Sequence, residues 1–368
     1  MKILTVADGF LPGKKYGGPP ISVDNFCTLM DGVQCYVVAR NHDLRDQTPY
    51  TGISEGWNDR GNCMVRYLPD SEFNMATFES IIRQLRPDWI YLQSLFQRCV
   101  MPCLHLAKKY GIRVMLAPRG ELCKGAMRKK YKKIPYIMAL HLLGLLKGVT
   151  FQSTSREESE AIGRYLRAKE GSICFLTNVP SVPNEQYPAR QKRSGSAKLV
   201  FLSRIHPKKN LLSAIHYLKN VTGRVNFDIY GPLEDEAYWD ECKRAMELLP
   251  DNVRVRYCGL VGHEDVHRVF SRYDAFLFPT LSENYGHAIV EALMVGCPVI
   301  ASDQTPWLDL QEHGAGWAIP LDQEQAFRAA VEQVVAWDAV PEDQVKAYVF
   351  GKLNLDGLRE MYRAAFGA

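Results

Sequence analysis

Short apolar runs alternate with helix-length patterns from one end of this 368-residue chain to the other. That alternation confines it to α/β architecture with mainly parallel sheets, because each parallel strand pair needs a crossover, usually a helix. In the first half the strand candidates are residues 3–7, 34–39, 89–92, 113–117 and 150–152. A polar, basic, Gly- and Ser-containing stretch over 184–197 then interrupts the pattern and reads as an interdomain linker. A second series follows at 199–202, 225–230, 253–257, 275–278 and 299–301, and beyond about Pro341 the pattern is helical to the end. The expected organisation is a first domain over 1–185, a linker over 186–197 and a second domain over 198–345. A final helix of about 346–368 is expected to pack back on the first domain. Doubly wound sheets bind ligands at the carboxyl ends of their strands, so a cleft between the two domains is the expected site.

The remaining bounds are broad. With 46% apolar and 23% charged residues the chain is of ordinary globular composition. A net charge of +4 is too mild to imply nucleic acid, and none is expected as a partner. Ten cysteines without a Cys-x-x-Cys pair or zinc spacing read as reduced residues of a cytosolic protein, Cys35 and Cys258 being placed in apolar strands. Residues 1–7 are too short for a signal-peptide core and read as the first strand. No stretch has the length and purity of a transmembrane helix.

The segment from Phe278 to Ile300 carries the most chemistry. It reads as strand, polar loop, helix, glycine stop and strand, with Glu283 on the loop and Glu291 inside the helix. His287 and Glu291 lie one turn apart on one face. Ile289, Val290, Leu293 and Met294 surround them, which predicts a helix buried on most sides. A carboxylate there is costly unless something hydrogen-bonds it, and a sugar's vicinal hydroxyls would do so. Asn284, Tyr285 and Gly286 bring backbone N–H groups to a helix start, where an anion is favoured. A phosphate seat flanked by two acids suits a nucleotide-sugar. A bland reading uses the same residues: Glu283 caps the helix and Glu291 faces solvent.

Two further strand-to-helix loops point the same way. Arg204 directly follows the strand at 199–202 and Lys209 lies on the same loop, with Asn210 placed to N-cap the next helix. A guanidinium fork and an ammonium there can clamp a diphosphate, although a solvated basic loop has the same composition. In the first domain Gly17 and Gly18 precede a helix and permit close backbone approach to a phosphate or sugar, or simply make a glycine turn. The Gly-x-Gly-x-x-Gly of a dinucleotide site is absent, which argues against a dehydrogenase.

Arg204 with Lys209, Glu283 and Glu291 separated by seven residues, and Gly17-Gly18 together resemble retaining glycosyltransferase family 4. The resemblance extends over most of the chain and is most specific from Leu199 to Ala301, including Gly231-Pro232 and Gly286. It departs where Arg119 stands for a more usual His, and where Thr177-Asn178-Val179-Pro180 replaces Pro-Asn-Gly. The resemblance implies the GT-B fold, two Rossmann-like doubly wound domains facing across a cleft. It implies a retaining transfer from a UDP- or GDP-linked sugar to a glycan or lipid-linked acceptor, in surface polysaccharide or glycoconjugate synthesis. By the same resemblance Arg204 and Lys209 bind the donor diphosphate, Glu291 the ribose and Glu283 the transferred sugar. Arg204, Lys209 and Glu283 are the catalytic candidates. Asn284, Tyr285, Gly286 and His287 would line the sugar-phosphate, Gly17 and Gly18 approach the donor, and Leu260 and Val261 lie near the base. Arg119 and Glu121 are the acceptor-side candidates. No metal or other cofactor is implied, no Asp-x-Asp pair occurs, and a front-face mechanism is expected in which the leaving phosphate takes the acceptor proton.

A basic cluster containing Lys129, Lys130, Lys132 and Lys133, followed by the apolar stretch 136–146, suits the surface of an anionic membrane. It also suits a solvated turn leading into a core helix. A cytoplasmic location, peripheral on the inner face of the cell membrane, is the matching expectation. Two rival functions use the same features: a GT-B-type nucleotide-sugar epimerase, and a non-catalytic nucleotide-binding or membrane-associated protein.

Overall fold

The computed structural model describes the chain from Met1 to Ala368 apart from Lys14, Gly17, Gly125 and Asn184, and for Arg128, Lys129 and Lys130 it describes the backbone alone. Gly17, Lys129 and Lys130 among the expected site residues therefore lie outside the described residues, the two lysines as to their side chains. The chain divides into two compact units, one of Met1–Val179 with Leu355–Ala368 and one of Pro180–Asn354.

The first unit holds an eight-stranded sheet. Its strands are β1 Lys2–Val6, β2 Gln34–Arg40, β3 Trp57–Asp59, β4 Met64–Leu68, β5 Trp89–Gln93, β6 Arg113–Ala117, β7 Thr150–Ser153 and β8 Ile173–Phe175. Their spatial order is β3-β4-β2-β1-β5-β6-β7-β8, parallel except for β3. The central strands are apolar on both faces, as helix-covered parallel strands must be. Leu4, Val6, Ile90 and Leu92 join the core on one face, and Ile3, Val37, Tyr91 and Met115 the core on the other. That second core is closed by the helix Leu355–Phe366, whose Leu358, Tyr362 and Phe366 are buried in it.

The expected single helix of about 346–368 is thus two. Glu342–Leu353 ends at Asn354 in the left-handed region (φ 41°) and belongs to the second unit, while Leu355–Phe366 belongs to the first. Asn tolerates that conformation at little cost, which is why the helical pattern runs through the break unmarked.

The second unit has six parallel strands, β9 Ser196–Leu202, β10 Arg224–Tyr230, β11 Val253–Tyr257, β12 Ala275–Phe278, β13 Val299–Ser302 and β14 Gly316–Ile319. Their order is β11-β10-β9-β12-β13-β14, so the winding reverses between β9 and β12. At β14, which the sequence pattern does not flag, a Cβ on Gly316 would stand 2.0 Å from the Val299 carbonyl oxygen. Only glycine lets these two backbones pair.

The stretch read as a linker is docked rather than loose. Arg190 is buried, donating from Nε to the Tyr273 carbonyl (2.7 Å) and from Nη2 to those of Phe270 (3.2 Å) and Val295 (2.9 Å), with Glu342 at 3.0 Å from Nη1. Phe270 ends one helix and Val295 caps another, so a single guanidinium satisfies carbonyls at two helix ends. Cys258 is half-buried just past β11 rather than within a strand, whereas Cys35 is buried in β2; all ten thiols are free.

Candidate functional site

The loops that follow β9 and β12 flank the point where the second sheet reverses, the place at which doubly wound sheets bind ligands. They are fastened to each other by backbone and side chain. Leu281 N donates to the Lys208 carbonyl (2.9 Å), and Asn210 Nδ2 donates to the Pro279 carbonyl (2.9 Å). Asn210 therefore does not cap the helix Leu211–Tyr217 with its side chain, as its position led one to expect. It sits at φ 58° and bridges the loops instead.

Across this seam Lys209 Nζ donates to Glu283 Oε1, and both side chains are largely buried. Thr280 Oγ1 also reaches Glu283 Oε1 (3.4 Å), and the Phe278 ring lies 5.6 Å beneath the ammonium. The bland reading of Glu283 as a helix cap fails: the residue before the helix His287–Met294 is Gly286 at φ 80°, without side-chain capping. Arg204 points to the β10 loop, where Nη1 donates to Glu234 Oε2 (2.9 Å), and it remains 43% exposed. Gly231 makes that approach possible, because a Cβ there would meet the Ser203 carbonyl oxygen at 1.8 Å.

Glu291 is buried within the helix His287–Met294, at 5% exposure. The solvent-facing alternative is thereby excluded. Its Oε1 has no hydrogen-bond partner among the described residues, and burial pushes its carboxyl up to about 7. His263 approaches it, with Nδ1 4.0 Å from Glu291 Oε1. On its other side His263 Nε2 is 2.8 Å from Ser181 Oγ. Tyr285 is buried beside Glu291 with its hydroxyl also unpartnered among the described residues; burial raises it first and the Glu291 charge second. Its carbonyl accepts from Trp307 Nε1 (2.7 Å), and its ring lies 4.8 Å from that of His287. Asn284 completes the loop between Glu283 and Tyr285. Leu260 is exposed past Gly259 (φ 81°), and Val261 is packed on the core two residues before His263.

The first-unit candidates present a different picture. Gly18 opens the helix Gly18–Leu29. Arg119, at φ 55°, donates from Nε to Gln93 Oε1 (2.7 Å), from Nη2 to Tyr91 Oη (3.3 Å) and from Nη1 to Asn178 Oδ1. The two departures noted at Arg119 and Asn178 are therefore one contact. Glu121 accepts from Ser94 Oγ (2.7 Å) and from the Leu95 N–H (2.6 Å). Both acceptor-side candidates are engaged in holding the loops after β5 and β6. Lys133 is likewise committed, donating to the Glu121 carbonyl (2.8 Å) over the Phe96 ring. Lys132 is exposed. Among the described residues no group of three His, Cys, Asp or Glu side chains is disposed to hold a metal, and no helix is long and apolar enough to cross a membrane.

Sequence reasoning missed His263, Ser181 and Glu234. Each reaches the site from a distant segment, and only His263, two residues past Val261, lay beside a position already singled out.

Residues 184–347 match the family described as "Glycosyl transferases group 1". The O-antigen chain mannosyltransferase B of Escherichia coli is 28% identical over 141 residues, which is 36% of this chain and 36% of that protein. The amylovoran biosynthesis glycosyltransferase AmsK of Erwinia amylovora is 29% identical over 142 residues, 36% of this chain and 34% of that one. The match spans about a third of the length of these curated relatives. Among solved structures, Anabaena Alr3699/HepE in complex with UDP and glucose superposes with a TM-score of 0.70 at 15% identity, over 100% of this chain and 99% of the other. The fold is the GT-B fold, with two Rossmann-like α/β domains.

Proposed function

We propose that this chain is a retaining, metal-independent glycosyltransferase that moves a sugar from a UDP- or GDP-linked donor to a glycan or lipid-linked acceptor, in surface polysaccharide or glycoconjugate synthesis. The observation that carries the reading is the set of groups at the reversal of the second sheet. Lys209 and Glu283 stand paired across it, and Glu291 lies buried beside it with an unsatisfied oxygen. A buried carboxylate with an unsatisfied oxygen is expensive, and a ribose diol supplies a donor for it. The family match over 184–347 and the names of the relatives support the same reading.

In this reading Glu291 holds the ribose, and the loop carrying Leu260 and Val261 lies along the base. Lys209 and Arg204 release part of their contact with Glu283 and Glu234 to the diphosphate, whose charge grows as the glycosidic bond breaks. Glu283, freed from Lys209, accepts hydroxyls of the transferred sugar, with Asn284, Tyr285, Gly286 and His287 along the sugar-phosphate. A departing phosphate oxygen takes the acceptor proton on the same face, which retains configuration. Gly18, which opens the helix Gly18–Leu29, keeps the donor-side role that the resemblance implies, with Gly17 before it in the sequence. Arg119 and Glu121 shape the acceptor side through the loops they hold.

A membrane component has its own support. The helix Lys130–Leu142 leaves Tyr131, Pro135, Met138 and Leu142 exposed, spaced to share one face, with Lys132 beside them. An apolar stripe edged by basic residues suits an anionic bilayer, and a lipid-linked acceptor would be met there.

Turnover is the test. Purified protein is given UDP- and GDP-sugars that stabilise it in a thermal-shift screen, with and without glycan and lipid-phosphate acceptors. Acceptor-dependent release of nucleoside diphosphate, unaffected by EDTA, is the expected result. Interconversion of the donor sugar without an acceptor would establish the epimerase instead, and binding without turnover a non-catalytic protein.

A further inference from the structure

Resting on the donor reading above, we infer that His263 is the positioning residue that keeps Glu291 ionised and aimed at the ribose hydroxyls, with Ser181 fixing the tautomer of its ring. The two ends of the imidazole are occupied differently. Nε2 lies 2.8 Å from Ser181 Oγ, a hydroxyl able to donate. Nδ1 lies 4.0 Å from Glu291 Oε1, an oxygen that has no hydrogen bond among the described residues. When Ser181 donates to Nε2, the ring proton resides on Nδ1 and faces the carboxylate. A buried carboxylate with no donor takes up a proton and stops accepting from a diol. The Nδ1–H opposes that, and when the ring is protonated its charge opposes it further.

The other titratable groups around the pair leave this role to His263. Tyr285 faces Glu291 from the preceding loop, but burial holds its hydroxyl neutral. His287 lies one turn earlier on the helix of Glu291, with its ring against Tyr285. His267 stands behind His263, and burial first and the His263 charge second lower it to about 4, so it is neutral at pH 7 and adds no field of its own. His263 comes from the short turn His263–Asp265 and Ser181 from the segment that opens the second unit, so the arrangement is made by tertiary packing.

Isothermal titration with UDP and GDP, and with the 2′-deoxy form of whichever binds, tests this across pH 6–9. His263→Phe keeps the ring volume and removes the donor; His263→Asn returns an N–H near the Nδ1 position. The expected result is a loss of about tenfold or more in ribonucleotide affinity for His263→Phe at pH 7, equivalent to about 1.4 kcal/mol more to keep Glu291 ionised. That loss should shrink towards pH 9, where Glu291 ionises unaided, and His263→Asn should recover most of it. The 2′-deoxynucleotide should bind both variants like the wild type. A merely structural histidine would weaken both nucleotides equally at every pH, and that outcome, or full affinity in His263→Phe, would overturn the inference while leaving the donor reading intact. Failure of the wild type to bind any nucleotide would overturn both.

Discussion

Each cation of the proposed diphosphate clamp already has an acid, and the two pairs differ in strength. Arg204 meets Glu234 at a half-exposed surface, where an ion pair contributes at most about 1 kcal/mol, so it exchanges partners readily. Lys209 meets Glu283 in a largely buried seam, where removing one partner leaves a charge short of solvation. Arg204→Ala and Lys209→Ala should each reduce kcat by about 10²-fold or more, by analogy with the loss of an oxyanion donor. Steady-state kinetics on protein whose circular dichroism matches the wild type is the measurement, and near-normal turnover in both would refute the clamp.

Among the elements, the helix Lys130–Leu142 changes the account of the basic cluster. Lys133 donates to the Glu121 carbonyl and lies over Phe96, which ties it to the loop after β6. The described part of the proposed membrane face is then Lys132 with the exposed Tyr131, Met138 and Leu142, and Lys129 and Lys130 join it as candidates from the sequence. Each lysine near an anionic surface is worth about 1 kcal/mol, screened within a Debye length. Wild-type protein should pellet with anionic vesicles and be released by salt. Replacing the three lysines by Ser, or Met138 and Leu142 by Ser, should weaken that binding in vesicle co-sedimentation. Salt-insensitive pelleting of all three proteins, or of none, would leave the stripe without a membrane role.

For the molecule as a whole, the chain's last helix completes the core of its first unit. Phe366 is fully buried, with ring contacts to Trp89 (5.1 Å) and Tyr91 (5.5 Å), and its carbonyl accepts from Trp89 Nε1 (2.8 Å). Tyr362 Oη donates to the Thr177 carbonyl (2.8 Å). Phe366→Ala should therefore cost about 3–5 kcal/mol in urea denaturation, as large buried aromatics do. An unchanged midpoint would show that the helix is dispensable to that core.

What was legible from residue order followed local geometry. Strand runs that are apolar on both faces, a glycine stop after a helix and a glutamate ringed by Ile289, Val290, Leu293 and Met294 are patterns of periods two and 3.6, set by the backbone itself. From them the two α/β domains, the loops after β9 and β12 and the burial of Glu291 could be read. Short edge strands such as β3 and β8 carry three residues each and leave no such period. Partners were decided only in three dimensions. A guanidinium or ammonium reads the same in solvent as in a core, so Arg190 looked like linker, and nothing in the residue order joined Arg119 to Asn178 or Lys133 to the Glu121 carbonyl. Ser181, His263 and Glu291 meet because the order of strands and the path of the chain bring three distant segments together. Periodicity is a property of neighbours along the chain, whereas a hydrogen bond depends on which atoms the packed sheet leaves within about 3 Å of one another.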